Sequence, residues 1–83
     1  MSRNDPTKIL VAVHLDQPHR RNAILVSING EASRAEWVPR ALIETYQLTG
    51  KSTSGTDKDG SKITLPLANM TVPEWLAQDR GFI

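Results

Sequence analysis

The chain has 83 residues, with ten basic and nine acidic side chains, 39% apolar residues and no cysteine. That length supports one domain with a modest core, and the composition is too apolar for a chain disordered throughout. The missing thiols exclude disulfide staples, thiolate metal sites and a cysteine nucleophile, while a net charge of +1 argues against the broad basic face of a general nucleic-acid binder.

The first residues, "MSRNDPTK", are polar and have no apolar core behind them, so they do not read as a signal peptide. No apolar run approaches the roughly 18 residues that a membrane span needs. With the absent cysteines, this fits a reducing cytoplasm. Residues 1–6 read as a polar leader and 7–83 as a single domain.

"KILVAVHL" alternates with period two, placing Ile9, Val11, Val13 and Leu15 on one face and Leu10, Ala12 and His14 on the other. Both faces carry apolar groups, which predicts a strand that is central in its sheet or covered on both sides. "DQPHRRN" interrupts it with loop chemistry. "AILVSI" is a second strand, and "NG" at 29–30 predicts a tight type I′ hairpin that returns through "EASRAEWV" to Pro39. Pro39 lacks a ladder donor and ends that strand.

Two readings fit "PRALIETYQLTG". Leu42, Ile43 and Tyr46 share a face if a short helix starts at Pro39. Alternatively, one turn over "PRAL" leads into a strand "IETYQLT", which Thr45 and Tyr46 favour. The next thirteen residues, "GKSTSGTDKDGSK", hold nothing apolar and are expected to form a long flexible hairpin loop over 50–62. "ITLPL" then reads as a short strand, with Pro66 marking an edge.

"TVPEWLAQDRG" carries helix signals. Thr71 and Glu74 have the spacing of a capping box, and Pro73 lies in the first turn. Gly81 fits the left-handed position after the helix, with Phe82 supplying the hydrophobic contact of that cap. Each of the two tryptophans sits beside a Val-Pro pair, in "WVP" and in "VPEW". Trp37 and Trp75 are therefore expected half-buried, closing the two ends of a small barrel or roll.

Chemical motifs are sparse. With Gly60 at the sixth position of a calcium loop, the first and twelfth ligands of "DKDG" would be Gly55 and Pro66, so a turn is expected there. His14 and His19 are the only histidines, too few for a zinc site, and His14 reads as a packed or rim histidine. No Gly-x-Ser-x-Gly elbow or Gly-rich phosphate loop occurs. The chain is thus expected to be no enzyme, with no cofactor and no metal.

The sharpest cationic cluster is "PHRR", whose His19, Arg20 and Arg21 form either a solvated hairpin tip or an anchor for phosphates or carboxylates. Lys51, Lys58 and Lys62 would extend it if the long loop folds to that side. Arg34 and Arg40 are further candidates, and Tyr46 is the one aromatic platform left over for a stacked base.

Apolar strand, "NGE", "WVPRALIE" and "ITLP…VPEWLAQDRGFI" together resemble small proteins encoded in phages and prophages. Those share Trp-(Val/Ile)-Pro-(Lys/Arg)-x-x-Ile and a terminal Trp-Leu-Ala…Gly-(Leu/Phe)-Ile helix. The resemblance covers roughly residues 23 to 83, departs at the longer polar insert 50–62, and carries no binding residue. It implies a genomic setting and a fold more than an activity.

The expected fold is therefore mainly β with a short C-terminal helix, a small β-barrel or β-roll of about five strands. The expected function is a non-enzymatic protein that docks on a host or viral protein complex, such as a defence assembly inhibited in the anti-CRISPR manner. Two other readings are binding of single-stranded nucleic acid on an oligonucleotide-binding-type barrel face, and a homo-oligomer paired through an edge strand such as "ITLPL".

Overall fold

A computed structural model describes residues 5–16 and 22–83. Five strands, β1 (Pro6–Leu15), β2 (Ala23–Ser27), β3 (Glu36–Pro39), β4 (Thr45–Thr56) and β5 (Lys62–Pro73), form one antiparallel sheet in the order β3-β2-β1-β5-β4. The helix α1 (Glu74–Asp79) follows directly on β5. The class expected from the sequence, strands with one short C-terminal helix, is the class observed.

Alternation decides which face is buried. Ile9, Val11 and Val13 of β1 meet Ile24 and Val26 of β2, Val38 of β3 and Ala68, Met70 and Val72 of β5 in a single apolar cluster. Leu76 and Ala77 of α1, both fully buried, and Phe82 cover that cluster, and Leu42, Ile43, Tyr46 and Trp75 pack around its margin. Ala12, Ser27 and Leu65 are buried outside it.

The sheet is not closed into a barrel, which corrects the expected shell. The chain leaves one edge at β3 and re-enters at the other edge as β4. The link includes the 3₁₀ turn Arg40–Leu42. At about 2 Å per 3₁₀ residue and 3.3 Å for the rest, it reaches roughly 16 Å. The outer strands of a flat five-stranded sheet lie roughly 19 Å apart, so the sheet has to curl. At the other end, Thr56 N–H donates to the Gly30 carbonyl at 2.9 Å, and Glu31 and Thr56 form an isolated parallel bridge. β3 is only four residues long and supports no ladder to β4, so the edges approach without zipping.

Three loop expectations give way. "NG" does not make a two-residue hairpin: Gly30 takes φ +84°, and a 3₁₀ turn over Ala32–Arg34 delays β3 to Glu36. Segment 50–62 is largely strand: β4 runs to Thr56, and the turn occupies only 57–61. There Asp57 Oδ1 accepts the N–H groups of Asp59 at 2.9 Å and Ser61 at 3.0 Å, and Gly60 takes φ +83°. "DKDG" is thus a turn, as its spacing predicted. Finally, "ITLPL" belongs to β5, which is interior and pairs with both β1 and β4.

Pro66 still obeys the rule that suggested an edge. Thr56 points its N–H away from β5 to Gly30, and strand alternation makes Ser52↔Pro66 a non-hydrogen-bonded pair. The missing proline donor then faces the β1 side, where the ladder has already ended at Ala12↔Leu67. Over 39–50, the turn followed by a strand is the arrangement found.

The helix keeps its predicted stop and loses its predicted start. Gly81, at φ +74°, donates its N–H to Gln78 O at 3.1 Å, and Phe82 donates to Ala77 O at 2.7 Å, a Schellman closure with Phe82 buried. Thr71, however, lies in β5 and bonds the Thr45 hydroxyl at 2.7 Å, so no capping box forms. The Asp5 carbonyl accepts the Glu74 N–H instead, at 3.0 Å. Both tryptophans are half-buried. Trp75 packs on the core margin, whereas Trp37 alternates with buried Val38 and pairs with Leu25. An open sheet has no barrel ends for them to plug.

Candidate functional site

Those of the predicted cationic residues that the structure describes do not gather into one surface. His19, Arg20 and Arg21 lie outside the described residues. Arg40 and Tyr46 do come together, at the foot of β1, around Asp16. Arg40 Nη2 forms an ion pair with Asp16 Oδ1, and the Tyr46 hydroxyl donates to Asp16 Oδ2 at 3.4 Å. Burial first, and then the Asp16 carboxylate, push the Tyr46 phenol above its ordinary titration range, while Arg40 pulls it back. The ring belongs to the core margin and its hydroxyl to this triad, which leaves little of it to stack on a base.

Because Tyr46 is the single tyrosine, a spectrophotometric titration reads this triad directly. Asp16→Asn should move the phenol down towards its ordinary value, but not all the way, since burial persists. Unfolding stability should fall by less than about 1 kcal/mol, as for other exposed pairs.

Arg34 sits elsewhere. It lines a cleft of about 350 Å³ with Ile28, Ser33, Glu36, Arg80 and Phe82. Arg80 is already engaged there, pairing with Asp79 and donating its Nε–H to the Trp37 carbonyl at 3.2 Å. Lys51, Lys58 and Lys62 are exposed along the β4–β5 hairpin, on β4, in the turn and at the start of β5. They are spread along its length rather than converging on Arg40. Among the described residues, no three His, Asp or Glu side chains could hold a metal ion together.

Two features went unread in the sequence. The first is the outer edge of β4. Over its twelve residues the strand carries one charge, Lys51. A bulge between Leu48 and Ser52 contains Gly50 at φ +80°. It is stitched by Thr49, whose hydroxyl donates to Leu67 O and accepts the Lys51 N–H, both at 3.1 Å. Leu48, the last residue in register before the bulge, is 55% exposed. Beside it lies a hollow of about 370 Å³ lined by Leu48, Gly50, Lys51, Thr64, Pro66 and Leu67.

The second is His14. Its Nε2 lies 2.7 Å from the hydroxyl of fully buried Ser27, which also accepts the Gly30 N–H at 2.9 Å. A serine beside an imidazole is the geometry of nucleophile and base. Here the serine is sealed from solvent and its oxygen is taken by a backbone donor, so the pair works as a structural bond. No protein-family model, no curated protein and no solved structure matches this chain. No described helix is long and apolar enough to cross a membrane.

Proposed function

We propose that this chain is a small non-enzymatic binding protein of phage or mobile-element type. It docks on a host or viral protein complex in the host cytoplasm. The observation that carries the reading is the edge of β4: a long, almost uncharged strand with an exposed leucine beside an apolar hollow. An extended segment of a partner can add to such an edge through backbone hydrogen bonds and seat an apolar side chain in the hollow. The opposite edge offers less, since β3 has four residues, ends in Pro39, and has its Trp37 carbonyl taken by Arg80. The resemblance to phage proteins adds the setting, in which a defence complex of the anti-CRISPR kind is a fitting target.

Affinity capture from host lysate with the wild-type chain and with Leu48→Glu tests this. Leu48 is solvent-facing, so the substitution should change stability by no more than about 0.5 kcal/mol. Wild type should retain a defined partner that resists nuclease treatment, and Leu48→Glu should lose most of it. Retention of nothing above background by wild type, or equal retention by both, overturns the proposal. A partner lost on nuclease treatment would favour nucleic acid instead.

A further inference from the structure

The His14–Ser27 bond is one link of a longer chain. Register runs Val13↔Val26 and then Leu15↔Leu25, so His14 is the extra residue of a β-bulge, a device that re-aims a side chain. Its imidazole meets Ser27 Oγ, which accepts the Gly30 N–H, and the Gly30 carbonyl in turn accepts the Thr56 N–H. The Thr56 hydroxyl also accepts the Ala32 N–H at 3.4 Å. One imidazole on β1 is thereby connected to the last residue of β4, where the hairpin touches the turn after β2.

Donor counting fixes the protonation state this arrangement needs. Ser27 has one hydrogen to give, and its oxygen already receives the Gly30 N–H. That oxygen has a second lone pair, but His14 Nε2 is the one acceptor within reach of the serine hydrogen among the described residues, so we assign the hydroxyl as the donor to an unprotonated Nε2 of a neutral ring. An imidazolium would present a second donor to the same oxygen. The serine hydrogen would then be left without an acceptor in a fully buried position, at a cost that favours breaking a link.

We propose that His14 is the proton-operated pin of a latch: with the ring neutral, the far end of the β4–β5 hairpin is held on the 28–31 turn, and protonation releases it. Burial lowers the titration of His14 below its ordinary value, which keeps the latch shut at neutral pH. Of the elements against β1, β2 carries no charge, β5 carries Lys62, and α1 carries Glu74 and Asp79. β1 itself carries Lys8, Asp16 just after it is committed to Arg40, and Glu31 and Asp57 lie in the turn and hairpin. None forms an ion pair with His14 among the described residues.

Hydrogen exchange by NMR tests the latch without any partner. As pH falls from about 7.5 to about 5, the protection factor of the Thr56 amide should drop about tenfold in step with the His14 ring titration. Val11 and Met70 amides should stay protected. In His14→Gln the Thr56 amide should lose this pH dependence. In Ser27→Ala it should be poorly protected at every pH. Constant Thr56 protection in wild type, a loss shared equally by Val11 and Met70, or an unchanged pH response in either variant overturns the latch.

Discussion

Gly55→Ala should lower the unfolding free energy by about 3 kcal/mol, the upper range for forcing extra volume into a packed site. In a domain of this size that corresponds to a thermal midpoint roughly 15 °C lower. The cause is contact and not backbone conformation, because Gly55 is absent from the positive-φ glycines. A Cβ at 55 would run into the Gly30 carbonyl oxygen and come within 2.5 Å of Leu65 Cδ1. The Gly30 oxygen cannot step aside without surrendering the Thr56 N–H it accepts. Gly30 is equally confined, since a Cβ there would lie 2.9 Å from Ser54 O and 3.2 Å from Gly55 Cα. Gly50→Ala is the control: at φ +80° with nothing within 4 Å, it should cost only the left-handed strain of about 1 kcal/mol. Equal midpoints for the two variants in differential scanning calorimetry would refute the argument.

Leu76→Ala should also cost about 3 kcal/mol, within the usual span for a buried leucine. Six residues are too few for a helix to persist by propensity alone, and no side chain caps the start of α1. Leu76 and Ala77, both fully buried, and the Phe82 closure hold it on the sheet. Truncating Leu76 leaves a cavity against Val72 and the β1 residues of the same cluster. Urea unfolding followed by tryptophan emission, with half-buried Trp75 inside the helix, reads the loss. A change below about 1 kcal/mol would mean that the helix is a passenger on the sheet.

How much of this was legible in the sequence depends on what holds each segment. β1 and β2 are held by apolar alternation, and both were readable. The stop at Pro39, the turn before Thr45 and the Gly81–Phe82 closure rest on backbone rules that leave a residue signature. β4 beyond Gly50 does not. "KSTSGT" buries almost nothing and is kept as a strand by its ladder to β5 and by Gly30, so a search for hydrophobic period finds only a loop. The capping box failed for a related reason: Thr71 satisfies the local rule, but pairing with Lys8 and Thr45 claims it for the sheet. The same gap hid the candidate site. Leu48 reads as one more apolar strand residue although it is left exposed at the bulge, and nothing local links His14 to Ser27 thirteen positions away.

The pairing of β1 with β5 carries a consequence for how the molecule comes into being. Thr7 pairs with Val72 and Ala12 with Leu67, so the central seam joins segments separated by most of the chain. A meander of the first three strands emerging from the ribosome would show the bare flank of its most apolar strand until the final quarter is translated. Such non-local closure slows assembly and lengthens exposure to mispairing. The charged residues in the stretches between the strands are then as much guardians of the nascent chain as parts of the connectors in the finished one.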